Sequence, residues 1–205
     1  MSWYEERILP RLIDLVCSSK PTRKQREKIV PRASGDVLEI GFGSGLNLPY
    51  YQRDAVRRLW GLEPSAGMRQ LAAAAVTKSD LDVELLGQPC EEIPLEDHSV
   101  DTVVITYTLC SIAELVPALD GVRRVLKPRG QLLFCEHGKA PDHNVYKWQE
   151  RLNPVWRKFS GGCNIHRDVP GILEQAGFRI EDDNRMYIPG IRALSYNYWG
   201  AARIR

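Results

Sequence analysis

The sequence predicts an α/β fold in which a parallel sheet carries helices on both faces. Short apolar runs alternate with segments of helical period along most of the chain, which is the pattern of successive βαβ units. The run at residues 100–106 is the richest in β-branched residues and predicts a buried central strand. At residues 36–47, DVLEIGFGSGLN, an apolar run leads directly into three glycines. This stretch predicts a strand that ends in a tight turn whose backbone a ligand can approach.

The composition is that of one ordinary globular domain spanning residues 1–205. Of the 205 residues, 43% are hydrophobic and 26% are charged. The net charge of +2 is too small to demand nucleic acid as a partner. No apolar run approaches the roughly 20 residues of a membrane span, and the start of the chain carries acids before its apolar part, unlike a signal peptide. We therefore expect a cytoplasmic protein whose five cysteines are free thiols.

The amino-terminal segment, residues 1–34, predicts a helical cap. Residues 3–18 place apolar side chains near helical spacing and predict an amphipathic helix interrupted at Pro10. A basic run follows at residues 20–32, and a solvated helix face is its first interpretation. The alternative is contact with an anionic substrate or a lipid headgroup, so peripheral membrane contact stays open but is not favoured.

The central part of the chain then alternates strands and helices. A strand at residues 37–40 leads through the glycines into a helix from about Leu46, and a second strand at residues 59–62 ends at Glu63. Ser65 is a suitable N-cap for a helix at residues 65–76. Residues 138–164 break the alternation and predict an insertion over the carboxyl ends of the strands. The remaining strands are predicted at residues 81–86, 100–106, 131–136, 178–180 and within 188–202, with helices at residues 112–126 and 169–176.

Glycines and polar side chains fall at the carboxyl ends of the predicted strands, where open parallel sheets bind their ligands. Glu63 lies about one βαβ step after the glycine turn, and an acid at that point can accept hydrogen bonds from both hydroxyls of a ribose. A dinucleotide fold requires G-x-G-x-x-G, whereas this chain has G-x-G-x-G followed by Leu46. A dinucleotide is therefore disfavoured.

Three motifs in order identify a family resemblance. The pattern VLEIGFGSG, an acid at the end of the next strand, and LKPRGQLL before the fifth strand resemble the class I S-adenosylmethionine-dependent methyltransferases of the methyltransferase domain 11 type. This resemblance implies a Rossmann-like seven-stranded methyltransferase sheet, mostly parallel with an antiparallel last strand. It also implies S-adenosyl-L-methionine as the cofactor and S-adenosyl-L-homocysteine as the product.

The same resemblance implies a set of cofactor-binding residues. The glycines and Glu39 would hold the methionine part, Glu63 the ribose, and Thr106 would lie beneath the sulfonium. An aspartate is usual where Pro89 falls, and Gln88 or Glu91 would substitute for it at the adenine amino group. The full set is Glu39, Gly41, Gly43, Gly45, Asn47, Glu63, Pro64, Met68, Gln88, Pro89, Cys90 and Thr106.

The later motifs narrow the resemblance to the animal methyltransferase-like thiol S-methyltransferases. They are LCSI at 109–112, RRVLKPRGQLLFCEH at 123–137, WQERLNPVW at 148–156 and GGCNIHRD at 161–168. A small, apolar methyl acceptor, with a thiol favoured, is therefore expected. Alternatives are an N-methyltransferase of phospholipids or amines and a module that binds the cofactor without turnover. The residues expected at the acceptor are Glu136, Trp148, Cys163, Asn164 and Arg167, although Trp148 can instead pack the insertion down and Arg167 can pair with Asp168.

His137, at the end of the fifth strand, is the candidate general base, because an imidazole titrates near neutral pH. The alternative is that its ring bonds to Glu136 and only orders the insertion. Cys163 and His166 form C-x-x-H, with His137 and His143 upstream, so a zinc site is conceivable. Because no second paired motif accompanies it, the sequence predicts no metal. The oligomeric state does not follow from the sequence.

Overall fold

The fold is a single seven-stranded sheet, seen in a computed structural model that describes residues 8–205. The strand order is β3-β2-β1-β4-β5-β7-β6. The strands β1 to β5 pair in parallel, while β7 lies antiparallel between β5 and β6. The predicted fold class is therefore confirmed. The strands are β1 (Gly35–Ile40), β2 (Val56–Leu62), β3 (Val83–Leu86), β4 (Val100–Thr106), β5 (Leu126–His137), β6 (Phe178–Tyr187) and β7 (Tyr196–Ile204).

Both faces of the sheet are buried. Successive residues of a strand point to opposite faces, so one strand contributes side chains to the core on each side. In β4, Val103 and Ile105 join the core on one face and Val104 joins the core on the other. Helices α4 and α6 cover the first face, while Ile29 of α2 and Ala72 of α3 pack on the second. The helices are α1 (Leu9–Cys17), α2 (Lys20–Ile29), α3 (Ala66–Thr77), α4 (Leu115–Val125), α5 (His143–Phe159) and α6 (Val169–Gln175).

The predicted helix from Leu46 is wrong. The chain instead makes a glycine turn and a single 3₁₀ turn, Leu48–Tyr50, before β2 begins at Val56. Pro49 accounts for this, because a proline disfavours helical backbone at the residue before it and supplies no N–H for a following turn. The glycine turn is consequently followed by a short irregular connection rather than by a packed helix.

Three further boundaries differ from the sequence prediction. Pro10 lies in the first turn of α1, where a missing N–H costs nothing, so the proline begins the helix instead of interrupting it. The predicted residues 3–7 of that helix lie outside the described part of the chain. Strand β5 already begins at Leu126, and β6 continues to Tyr187 although only residues 178–180 were predicted. The extra residues of β6 are mostly charged and exposed, which hides their strand pattern.

The segment 138–164 contains one 17-residue helix, α5, with Pro154 inside it. Gly161 and Gly162 follow with positive φ and return the chain towards the carboxyl ends of the strands. Within residues 8–205, no helix is long and apolar enough to cross a bilayer.

Candidate active site

A cavity of about 410 Å³ opens at the carboxyl ends of β1, β2 and β4. Its walls come from the glycine turn, from the residues that follow these strands, and from α1 and α2 of the amino-terminal segment. This volume lies in the range of small-molecule sites. The sheet therefore brings most of the predicted cofactor residues to one place.

Two of the three glycines in the glycine turn, Gly41 and Gly43, lack a side chain for different structural reasons. Both residues have a positive φ, a backbone conformation that residues with a side chain rarely adopt. A Cβ on Gly41 would overlap the side chain of Thr108, so close packing excludes it. A Cβ on Gly43 would meet nothing nearer than the carbonyl oxygen of Gly41 at 3.9 Å. Gly43 thus leaves its space free on the cavity side, and its N–H is held by Glu63.

Glu63 fixes the turn with both carboxylate oxygens. Its Oε2 accepts from the Gly43 N–H at 2.9 Å, and its Oε1 accepts from the Ser65 N–H at 2.9 Å. Burial raises the pKa of Glu63, although these two backbone donors oppose the shift. Each oxygen has accepted one hydrogen bond, and a carboxylate offers about four acceptor positions. Glu63 therefore keeps acceptor capacity for hydroxyl groups of a ligand.

A buried network lies under the other side of the turn. Asn47 Nδ2 donates to Glu39 Oε1 and to Thr106 Oγ1, each at 2.9 Å, and the Tyr51 hydroxyl donates to Glu39 Oε2 at 2.7 Å. Burial raises the pKa of Glu39 to about 7. Asn47 Oδ1 is buried and has no hydrogen-bond partner among residues 8–205. Because orphaned buried acceptors are costly, this oxygen is suited to a donor brought by a ligand.

Arg26 is a site residue that the sequence analysis missed. Its guanidinium is 4% exposed, lines the cavity, lies over the Tyr107 ring at 5.1 Å and donates to the Cys17 carbonyl at 2.7 Å. Its buried Nε has no partner among the described residues. Burying a cation without a carboxylate bonded to it is unfavourable. The unused donor of Arg26 on the cavity wall is therefore chemically suited to an anionic group. Its place beside Gln25, Ile29 and Val30 on the buried side of the basic run was the signal that could have found it.

The other end of the cavity has mainly apolar walls. Pro64, Met68, Pro89 and Cys90, which the sequence analysis assigned to the cofactor, are among the residues that line it. Ser65 caps α3 by accepting from the Met68 N–H at 3.3 Å. Gln88 is exposed to solvent and does not line the cavity. Of the two proposed substitutes for the usual aspartate, Glu91 is the one on the cavity wall.

His137 lies behind Tyr107, which lines the cavity. Its Nε2 is 3.2 Å from Cys163 Sγ, and its ring stacks on that of Tyr107 with centroids 6.4 Å apart. Burial works to lower the pKa of His137, but the hydrogen bond and charge at Cys163 outweigh it and raise this pKa overall. The alternative that the ring bonds to Glu136 is not what the structure shows. Glu136 instead accepts from the backbone N–H groups of Thr108 and Leu109.

Burial raises the pKa of Glu136 to about 7, and its Oε2 is buried without a partner among residues 8–205. Neither Glu136 nor His137 is part of the cavity wall itself. Glu136 fixes the backbone at residues 108 and 109, and His137 packs on the ring of Tyr107; Tyr107 and Thr108 line the cavity.

The remaining residues expected at the acceptor have other roles. Asn164 binds the Cys110 carbonyl through its backbone N–H and its side chain, and Arg167 donates to the carbonyls of Leu109 and Ile112. Arg167 therefore anchors the loop after β4, and no ion pair with Asp168 forms. Trp148 is 57% exposed on α5 and does not reach the cavity, because it lies on the outer face of the helix.

The chain is similar in sequence to known methyltransferases. Residues 38–134 match the family described as the methyltransferase domain. Human thiol S-methyltransferase TMT1B is 34% identical over 152 residues, which cover 71% of this chain and 62% of that protein. The mitochondrial methyltransferase OMS1 of Saccharomyces cerevisiae is 26% identical over 187 residues, or 80% of this chain and 38% of that protein. The chain thus spans less than two thirds of either relative.

Solved structures share the fold. A SAM-dependent methyltransferase from Aquifex aeolicus superposes with a TM-score of 0.65 at 22% identity, covering 96% of this chain and 98% of that one. A SAM-dependent methyltransferase from Thermotoga maritima gives a TM-score of 0.69 at 19% identity, covering 97% and 99%. At these identities the likeness establishes the architecture.

Proposed function

Since the chain carries a methyltransferase domain of the S-adenosylmethionine-dependent class, we propose that it transfers a methyl group from S-adenosylmethionine to a small, apolar thiol. The observation that carries the proposal is the pairing of Glu63 with the Gly43 N–H at the edge of a cavity of about 410 Å³. This pairing places an acceptor for hydroxyl groups directly beside backbone that is open to a ligand.

The residues of the cavity fit the parts of the cofactor one by one. Glu63 accepts from the ribose hydroxyls with its remaining lone pairs. Arg26 pairs with the methionine carboxylate, and the orphaned Asn47 Oδ1 accepts from the amino group. Pro64 and Met68 pack against the adenine, while Glu91 accepts from its amino group in place of the aspartate usual at Pro89.

The acceptor end is apolar. Leu9, Pro10 and Ile13 of α1 and Ile112 of the loop after β4 line the cavity there, and Gly161 closes it beyond α5. We propose that residues 8–34 act as a cap over this end and that residues 138–164 close its back. An apolar wall disfavours binding of strongly hydrated acceptors. A thiol acceptor is favoured because the relative TMT1B is a thiol S-methyltransferase.

The chemistry is an in-line displacement. Bound S-adenosylmethionine supplies a methyl group on a positively charged sulfur. The protein's share is alignment, which is worth on the order of 7 kcal/mol or more when the geometry is good, together with help in removing the proton of the thiol. His137 is bonded to Cys163 through Nε2, so it can serve as a base only together with that cysteine.

An acceptor panel tests the proposal. Release of S-adenosylhomocysteine is measured with small thiols, phenols, amines and phospholipid vesicles offered separately. We expect turnover with the thiols, and we expect Glu63→Gln to lower it at least ten-fold, or about 1.4 kcal/mol. The matched control is Glu84→Gln, the same change at an exposed carboxylate on β3 that pairs with Arg58. Turnover confined to amines or phospholipids would replace the thiol with those acceptors, and cofactor binding without any turnover would identify a binding module.

A further inference from the structure

Two cysteine sulfurs and one histidine nitrogen converge behind the acceptor end of the cavity. Cys110 lies in the loop after β4, His137 ends β5 and Cys163 follows α5. One ligand atom from each lies within 4.8 Å of the other two, and Cys163 Sγ is 3.2 Å from His137 Nε2. Both cysteines are free thiols. Three separate parts of the chain therefore present soft or borderline ligand atoms at one point.

The spacing of these atoms suits a small tetrahedral metal ion. Zinc binds thiolates at about 2.3 Å and imidazole at about 2.1 Å, so its ligand atoms lie about 3.6 to 3.8 Å from one another. The separation of 3.2 Å between Cys163 Sγ and His137 Nε2 and the upper limit of 4.8 Å for the three atoms enclose that range, so small adjustments of the side chains would form the site. Two thiolates and one divalent cation also sum to zero net charge, which lowers the cost of burying the group.

The surrounding structure holds the three ligands rigidly. Asn164 binds the Cys110 carbonyl through two hydrogen bonds, of 2.8 Å from its backbone N–H and 3.1 Å from its side chain. Arg167 holds the carbonyls on either side of Cys110, at Leu109 and Ile112. Cys110 and Cys163 pack with the buried Ile165, and Trp156 covers this cluster. Such preorganisation favours metal binding, because ligands on flexible loops must first be ordered and the entropic cost of that ordering lowers the affinity.

We propose that Cys110, His137 and Cys163 bind a zinc ion, and that the fourth position on the metal takes the sulfur of the methyl acceptor. Binding of zinc stands on the geometry of the three residues alone. The role of the fourth position rests on the proposed thiol methyltransferase function.

The site lies within reach of the cavity. Tyr107, whose ring stacks on His137, lines the cavity, and so does Ser111, whose hydroxyl is 3.5 Å from Cys110 Sγ. Gly161, two residues before Cys163, lines it as well. A metal with three protein ligands and one exchangeable position is the arrangement of catalytic rather than structural zinc.

The step balances without any change of oxidation state. On binding to zinc, the acceptor thiol loses its S–H proton to solvent, because the cation stabilises the thiolate. A sulfur lone pair of the acceptor then forms the new S–C bond with the methyl group. The old C–S bond breaks, and its electrons remain on the sulfur of S-adenosylhomocysteine.

The first test is metal content and ligand identity. The full chain is purified without chelator and its zinc is measured by mass spectrometry, with one zinc per chain expected. Cys110→Ser, His137→Gln and Cys163→Ser should each weaken zinc binding at least about ten-fold, the lower limit even for loss of a residue that only supports a ligand. His166→Gln is the control, since His166 belongs to the C-x-x-H spacing but its ring faces Tyr146, and it should retain zinc. Loss of zinc in this control together with retention in the others would overturn the assignment.

A second measurement needs no variant and so does not depend on whether the variants fold. Cobalt(II) replaces zinc in the wild-type chain, and thiolate-to-cobalt charge-transfer bands in the near ultraviolet should appear and then shift on addition of a small thiol. Absence of the bands overturns the metal site, as does the finding of two fewer free thiols without metal, which would indicate a Cys110–Cys163 disulfide. Bands that ignore the added thiol overturn the role of the fourth position.

Turnover separates this inference from the function on which it rests. Removal of zinc should lower thiol methylation at least ten-fold, and zinc alone should restore it. If metal-free protein methylates thiols at the full rate, the methyltransferase proposal stands and the zinc step fails. If the protein binds zinc but methylates no thiol, the thiol function fails and so does the role of the fourth position.

Discussion

Replacing Gly43 by alanine tests whether the glycine turn is a ligand cradle or only a tight turn. The new methyl group would meet no atom of the protein within 3.9 Å, so it creates no internal clash. The cost to the free protein is that of holding alanine at a φ of 60°, about 1 to 2 kcal/mol. Gly43 lines the cavity in which we propose that the cofactor binds, so the methyl group would reduce the room for that ligand. We therefore expect affinity for S-adenosylhomocysteine to fall at least ten-fold, or about 1.4 kcal/mol.

Gly41→Ala is the matched control, because it has nearly the same backbone strain but a different neighbour. Its φ is 72°, and its Cβ would overlap the side chain of Thr108. Overpacking adds about 1 to 3 kcal/mol to the backbone cost, for a total of about 2 to 5 kcal/mol. This variant should lose stability more than Gly43→Ala does.

Isothermal titration calorimetry gives the affinities, and urea denaturation gives the free energies of unfolding. Under our interpretation, Gly43→Ala is the variant that stays folded and binds weakly. Wild-type affinity in Gly43→Ala would refute the reasoning, because the open space beside residue 43 would then have no bearing on the ligand.

Three other substitutions test separate parts of the site. Arg26→Gln should weaken binding of S-adenosylhomocysteine by about 10- to 150-fold, the worth of hydrogen bonds to a charged group, while Arg23→Gln on the exposed side of α2 should not; equal affinities by calorimetry would contradict the assignment of Arg26. The folded-state pKa of Glu39 is raised to about 7 from 4.5, so the folded protein binds the extra proton and its free energy of unfolding should fall as the pH rises from about 5 to 8; Glu39→Gln should flatten this slope in urea denaturation, and an unchanged slope would refute it. Glu91→Gln should weaken recognition of the adenine, so the affinity for S-adenosylhomocysteine should fall. The affinity for methionine, which has no adenosine group, should stay unchanged.

The sheet could be predicted because its strands are buried on both faces and therefore read as apolar, β-branched runs. Residues 100–106 were placed to the residue for this reason. Strand β6 extends well beyond the predicted residues 178–180 because it lies at the edge of the sheet, where most of its side chains are charged or exposed and show no apolar pattern. The prediction of a helix from Leu46 was wrong. The number of residues between the glycine turn and Glu63 fits a helical connection, but that number does not determine the conformation of the connection.

Most of the residues that the sequence analysis assigned to the cofactor line the cavity, because they directly follow strands of the parallel sheet. The rest depends on tertiary packing. Arg26 is one of many basic residues in its segment, and its place on the same side of the helix as Ile29 was the one sign that it points inwards. Cys110, His137 and Cys163 lie far apart in the sequence, and only the fold brings them together.

Calorimetric titration of S-adenosylhomocysteine into the wild-type chain tests the central claim most directly, because the proposed acceptor chemistry presupposes a cofactor in this cavity. We predict one site per chain with a Kd in the micromolar range or tighter, about −8 kcal/mol or better. No heat of binding from a protein that circular dichroism shows to be folded would contradict the account.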